Sequence, residues 1–221
     1  MRKKVVCFDL DDTLYKEIGF LYSGYRVISQ VIEQRTGSTG VYDQMCQLRH
    51  DGKNVFEELE KKYRGVINKA EMLTIYREHK PSISLDDGIE SLLDALKQSG
   101  CIIGLITDGR SISQRNKISA LGLERWIDNQ NIVISEEFGS EKPNEQNYLY
   151  FEKRYPGCRY YYIGDNVEKD FIAPNKLGWE TYCLKNDMRN VHYQNFNMPD
   201  IYLPNRIVSL ISDLILLIEN E

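Results

Sequence analysis

Asp9 and Asp11 stand one residue apart in the stretch Val5-Val6-Cys7-Phe8-Asp9-Leu10-Asp11-Asp12-Thr13-Leu14-Tyr15, directly after a short apolar run. Two carboxylates so placed repel each other and are tolerable together where a cation or a proton lies between them. Such a pair is a poor way to build a core and a reasonable way to hold a metal ion and attack phosphorus. Three more groups follow along the chain: Thr107-Asp108-Gly109 after Gly104-Leu105-Ile106, Lys142-Pro143 after Asn131-Ile132-Val133-Ile134, and Gly164-Asp165-Asn166-Val167-Glu168-Lys169-Asp170 after Tyr160-Tyr161-Tyr162-Ile163. Taken singly each is bland, because acidic residues commonly form turns and cap helices and a lone lysine is usually solvated. What carries weight is that all four follow apolar runs.

Those runs read as buried β-strands. Strand candidates fall at 5–8, 101–106, 131–134, 160–163 and 180–184, with a short sixth at 201–203. Between them lie helical patterns. Ile89, Leu92, Leu93 and Leu96 form a stripe closed by Gly100, and residues 111–121 are closed by Gly122. Residues 144–154 follow, with Pro143 suited to the first turn. Residues 168–177 and a packed helix over 207–218 complete the series. Alternating strands and helices predict an α/β fold, a doubly wound parallel sheet covered on both faces. All strands of such a sheet share one carboxyl edge, where ligands bind, so the four groups can converge. Residues 16–85 are different. They show helical spacing only, with a break at residues 37–40, helical stretches at 41–49, 53–63 and 69–79, and a stop at Pro81. The expected organisation is a catalytic core of residues 1–15 and 86–221 with a helical domain, 16–85, inserted after the first strand.

The four motifs, in this order and at these separations, resemble the haloacid dehalogenase-like (HAD) hydrolase superfamily. Its DxDxT motif is matched at Asp9, Asp11 and Thr13, its Thr/Ser motif at Thr107, its Lys motif at Lys142 and its acidic motif at Asp165 and Asp170. The insertion resembles the family's helical cap of the first type. The resemblance implies that Asp9 is the nucleophile that becomes an aspartyl phosphate and that Asp11 is the acid and base. It implies that Thr107, with the N–H groups of Asp108 and Gly109, binds phosphoryl oxygens, helped by Lys142. It further implies a Mg²⁺ held by Asp9, Asp165 and the backbone carbonyl of Asp11, with Asp170 orienting Lys142 or metal-bound water.

Composition narrows the class. The chain has 221 residues, 42% apolar and 28% charged, with a net charge of −5, which does not suit binding along a nucleic-acid backbone. Cys7, Cys46, Cys101, Cys158 and Cys183 form no CxxC and read as reduced thiols of a cytoplasmic protein. The first apolar run is too short for a signal peptide, and 207–218 is too short to span a bilayer and contains Asp213, so no membrane partner is expected. Asp12 should point away from the Asp9 and Asp11 side. Arg110 could reach a substrate or form a surface salt bridge. His50, His79 and His192 lack the context of a ligand or triad. Tyr15, Tyr22, Tyr25, Tyr42, Tyr63 and Tyr76 read mostly as packing residues, and Lys16, Arg26 and Arg49 could meet a second anionic group.

The expected function is therefore a Mg²⁺-dependent phosphatase acting on a small phosphomonoester of nucleotide or sugar-phosphate type. A β-phosphoglucomutase-like phosphomutase would share every motif, and a non-catalytic phospholigand-binding protein would be marked by loss of Asp9, Asp11 or Lys142, none of which is lost. Asp11 argues against dehalogenation, because displacing halide needs no protonated leaving group. The cap is expected to move about hinges near 15–20 and 80–87, where Gly19 and Pro81 fall. No oligomeric state is implied.

Overall fold

The computed structural model describes residues 2–209 together with 211, 213, 214 and 218. Six strands form one sheet: β1 (Lys4–Phe8), β2 (Ile102–Thr107), β3 (Ile132–Ile134), β4 (Arg159–Gly164), β5 (Glu180–Leu184) and β6 (Arg206–Val208). Their order is β3-β2-β1-β4-β5-β6, and every neighbouring pair is parallel. β1 is central, so Val5, Val6, Cys7 and Phe8 are buried from both sides, which is why the run is apolar without alternation. Successive residues still point to opposite faces. Val6 and Phe8 pack with Leu92, Leu93 and Leu96, whereas Val5 and Cys7 pack with Tyr148 and Phe151. The chain runs outward from β1 to β3, then returns to β4 on the other side. The switch in direction leaves a crevice outside the carboxyl ends of β1 and β4.

Four helices follow β1 as the inserted segment: α1 (Glu17–Thr36), α2 (Val41–His50), α3 (Val55–Lys62) and α4 (Lys69–Glu78). They share a core of their own that includes Ile28, Ile32, Met45, Leu59 and Met72. Gly37 ends α1 in the left-handed conformation at φ 71°. Asn54 and Asn68 start α3 and α4, their side chains accepting from the N–H groups of Glu57 and Glu71. The remaining helices are α5 (Ile89–Gln98), α6 (Ser111–Ala120), α7 (Ser135–Phe138), α8 (Gln146–Arg154) and α9 (Ile172–Lys176). Among the described residues no helix is long and apolar enough to cross a membrane.

Four expectations are corrected. Residues 201–203 are not a strand: Asp200–Tyr202 is a 3-10 turn, and the sixth strand is Arg206–Val208. The side chain of Asn205 accepts from Thr181 N at 2.7 Å and so takes up the donor at the start of β5, leaving pairing to begin after it. The final helix does not begin at 207, because Ile207 and Val208 belong to β6; most of its remaining length lies outside the described residues, although Leu214 and Ile218 are buried in the core of α5. Pro143 is not in the first turn of a helix, since α8 starts at Gln146 and the Lys142–Pro143 peptide is cis. The helix expected at 168–177 shortens to α9, because Asn166 O caps a separate turn by accepting from the N–H groups of Lys169 and Asp170.

Candidate active site

Asp9 is the first residue beyond β1, and its N–H continues the ladder by donating to Ile163 O at 2.8 Å. Its carboxylate meets Lys142, whose Nζ donates to Asp9 Oδ1 at 2.6 Å, Asp170 Oδ1 at 2.7 Å and Tyr162 OH at 3.1 Å. Burial works against charge on Lys142, yet Asp170 and Asp9 outweigh it and hold the ammonium well above its ordinary pKa. Asp170 Oδ2 accepts from the N–H groups of Asp165 and Asn166 at 3.1 and 2.9 Å, so both Asp170 oxygens are engaged. This close approach needs Gly164, where a Cβ would collide with the Asp170 carboxylate.

Asp11 lies in a different setting. Lys117 of α6 donates to its two oxygens at 2.7 and 2.9 Å. Gln114 Nε2 lies 3.1 Å from Asp11 Oδ2, 2.8 Å from Thr107 Oγ1 and 2.7 Å from Asp108 O, and the Tyr15 hydroxyl donates to Asp11 Oδ1. Burial pushes the Asp9 carboxyl up to about 7, aided by Asp170 and Asp11 and opposed by Lys142. Burial pushes Asp11 the same way, but Lys117, Tyr15 and Gln114 reverse it and hold Asp11 below the usual carboxylate value. Two neighbouring aspartates thus differ in proton affinity because burial and Asp170 outweigh Lys142 at Asp9, whereas Lys117, Tyr15 and Gln114 outweigh burial at Asp11.

The phosphate loop is braced from several elements. Asp108 accepts from Lys142 N and from Lys169 Nζ, both at 3.1 Å. Gly109, at φ 140°, turns its N–H to Ser135 Oγ at 3.0 Å, so one of the two amide donors expected for phosphate has a protein partner here. Asp165 accepts from Asn190 Nδ2 at 3.0 Å, and burial together with Asp170 and Asp9 pushes its carboxyl up to about 9. Carboxylate oxygens of Asp9, Asp165 and Asp170 gather within 4.8 Å of one another. With both Asp170 oxygens taken, Asp9 and Asp165 are the pair suited to a hard cation. Buried carboxylates this short of positive charge, with oxygen-only donors, fit Mg²⁺.

A cavity of about 120 Å³ opens here, walled by Asp9, Asp11, Thr107, Asp165, Glu17 and His192 among others. A larger depression of about 640 Å³ near Trp179 and Asn205 shares none of these residues. Asp12, expected to point away, lines the same cavity, but its carboxylate is taken up by backbone N–H groups. At φ 57° it accepts from Glu17 N at 2.9 Å and Val191 N at 2.7 Å, tying the start of α1 to the loop after β5. Arg110 pairs with Glu136 at 3.0 Å. His79 is buried and bonded to Tyr76 O and Ser23 Oγ. Lys16 turns to Asp187 at 3.4 Å, and Arg26 lies 4.6 Å over the Tyr42 ring.

Sequence reasoning missed Gln114, Lys117, Glu17, Asn190 and His192. Gln114 and Lys117 left one signal: polar side chains at i and i+3, next to Ile118, on the face of α6 that should be apolar. Glu17 opens α1, and burial and Asp11 push its carboxyl up to about 7. Asn190 and His192 sit in a loop without periodicity and left none.

A sequence model described as haloacid dehalogenase-like hydrolase matches residues 6–183. A glyceraldehyde 3-phosphate phosphatase of Methanocaldococcus jannaschii is 29% identical over 88% of this chain and 92% of that protein. A pyrimidine 5'-nucleotidase of Escherichia coli (strain K12) is 31% identical over 58% of this chain and 53% of that protein. A magnesium-bound HAD hydrolase of Bacillus subtilis superposes with a TM-score of 0.68 at 21% identity, covering 98% of this chain and 99% of the other. The matched segment contains the strand-end residues from Asp9 to Asp170, and with it the chain belongs to the haloacid dehalogenase-like hydrolase family.

Proposed function

We propose that the protein is a Mg²⁺-dependent phosphatase of small phosphomonoesters, working through an aspartyl phosphate on Asp9. The observation that carries this reading is the unequal treatment of Asp9 and Asp11. One carboxylate is paired with a lysine shared by Asp170, and the other is clamped by a lysine of its own. A cation held between Asp9 and Asp165 would keep Asp9 ionised for attack, and Asp11, outside that carboxylate cluster, is the group left to move protons. An Asp9 oxygen forms a bond to phosphorus as the phosphorus–oxygen bond to the alcohol breaks, and a proton from the Asp11 carboxyl goes to the departing oxygen. Water then attacks phosphorus and gives its proton to Asp11, the bond to Asp9 breaks, and inorganic phosphate leaves.

Thr107 and the Asp108 N–H hold phosphoryl oxygens, and Lys142 offsets charge on Asp9 and the phosphoryl group. Asp9, Asp165 and the Asp11 carbonyl would hold Mg²⁺, which when bound supplies charge compensation between carboxylates and phosphoryl oxygens. Four carboxylates, Asp9, Asp11, Asp165 and Asp170, are then matched by Lys142, Lys117 and the ion. Residues 16–85 form a cap over the core and exclude water. The cavity, and the substrates named for the archaeal and bacterial relatives, support a small leaving group of sugar or nucleoside type. Free thiols at all five cysteines suit a reducing, cytoplasmic setting.

The test is release of inorganic phosphate from a panel of sugar phosphates and nucleotides with Mg²⁺. At least one should be turned over, and Asp9→Asn should abolish it. Release at full rate by Asp9→Asn overturns the covalent route, and isomerised sugar phosphate without phosphate release overturns hydrolysis.

A further inference from the structure

We propose that Gln114 and Lys117 are positioning residues for proton transfer by Asp11, fixing its carboxyl group and coupling it to the phosphate loop. The inference rests on the acid–base role given to Asp11 above. Lys117 is nearly buried, its side chain 6% exposed, and it reaches Asp11 through two contacts rather than one. One nitrogen astride both oxygens does not fix the plane of a carboxyl group, but Tyr15 at Oδ1 and Gln114 at Oδ2 add separate donors that do. Gln114, one turn earlier on the same face of α6, closes the arrangement. Its amide nitrogen touches Asp11 Oδ2, the Thr107 hydroxyl and the Asp108 carbonyl together, so the proton-moving carboxyl and the phosphate loop share one donor.

α6 is itself anchored on its other side. Ser113 Oγ donates to Arg77 O at 2.8 Å, and Asn116 Nδ2 donates to Glu78 O at 3.0 Å, both at the end of α4. Lys117 Nζ also lies 4.4 Å from the centre of the Phe20 ring at the start of the cap. A helix held between cap and strand end is a rigid mount for the two side chains. Stability alone does not account for them. A buried ion pair is often no more stabilising than an apolar pair of the same size, and a leucine or methionine at 117 would serve a packing role. A buried lysine whose ion pair among the described residues is with Asp11 is explained by what it does to that carboxylate.

The experiment compares two classes of monoester. An alkyl phosphate needs a proton on its departing oxygen, whereas p-nitrophenyl phosphate expels a weakly basic oxide and hardly does. The ratio of kcat/KM for the two reads the proton-transfer step up to loss of the alcohol. Because positioned proton transfer contributes about 10²–10⁴-fold, Lys117→Met should lower kcat/KM for the alkyl ester by about 10–100-fold and for the aryl ester by no more than about threefold. Gln114→Ala should shift the ratio in the same direction by a smaller factor, and it decides the matter should Lys117→Met fail to fold. Asp11→Asn sets the ceiling. If Asp11→Asn is ester-selective while both α6 variants lower the two esters equally, or not at all, the inference is overturned and the proposed function stands. If Asp11→Asn is itself unselective, the acid–base role falls and the inference falls with it.

Discussion

The site has two lysine-centred halves, and they are built differently. In one, Lys142 comes from the loop after β3 and is wholly enclosed by Asp9, Asp170 and Tyr162. In the other, Lys117 comes from the middle of α6 and holds a carboxylate whose side chain is 21% exposed. Burial, with Asp170 and Asp11, keeps the proton affinity of Asp9 raised against Lys142, whereas Lys117, Tyr15 and Gln114 overcome burial and lower that of Asp11. The difference teaches that the electrostatic settings of Asp9 and Asp11 follow less from their own positions, two residues apart on one loop, than from the groups that enclose each.

The comparison can be broken at either lysine. Lys142→Met should lower phosphate release by about 10³-fold for every ester, as expected for loss of a preorganised cation at the phosphoryl group. Set beside the smaller, ester-selective loss predicted for Lys117→Met, equal and unselective losses would erase the distinction between the halves. The same pair should separate in stability. Removing Lys142 strands Asp9 and Asp170 in a buried setting and should cost about 3–5 kcal/mol. Removing Lys117 leaves Asp11 with Tyr15, Gln114 and some water, and should cost about 1–2 kcal/mol. Thermal unfolding of both variants without Mg²⁺ measures this, and the reverse order would overturn it.

The proposed Mg²⁺ site belongs to the Lys142 half. A chelator should abolish release and readdition restore it. Mg²⁺ at 100 times its Kd should raise wild-type stability by about 2.7 kcal/mol. Asp165→Asn should lose that rise while keeping the contacts of Lys117. A rise retained in Asp165→Asn would remove Asp165 from the ion's ligands. The smallest effect is expected at Arg110. It stands beside the phosphate loop, yet its pair with Glu136 is exposed, so Arg110→Ala should change stability by less than about 0.5 kcal/mol and leave release unchanged. A large loss of release would show that Arg110 leaves Glu136 for substrate.

The Lys142 half was legible in the sequence for a physical reason. Strands of a parallel sheet are apolar throughout, so Asp9, Thr107 and Asp165 are conspicuous as the first polar residues after each run, and one shared edge brings them together. Lys142 was legible only through its place after the third run. The Lys117 half was not, because a polar residue within a helix is ordinary, and whether it faces solvent or a strand end depends on how α6 packs. The same limit applies to Asn190, whose contact with Asp165 joins residues distant in the chain through an irregular loop. The sixth strand was misplaced for a related reason, since Ile201 and Tyr202 are as apolar as Ile207 and Val208 and the side chain of Asn205 decides where pairing starts.

The central place of β1 bears on how the chain is made. β1 precedes the other described strands in the chain, and both of its sheet neighbours, β2 and β4, are synthesised after the whole of α1–α4. The helices have local contacts and a core of their own, so they can settle early, as segments rich in short-range contacts do. β1 cannot. A nascent chain that carries Asp9 therefore trails an apolar strand with neither edge paired until residue 102 has emerged, and that interval is when the protein is most exposed to misassociation. Lys4 at the head of that strand places a charge on the unpaired edge while it waits.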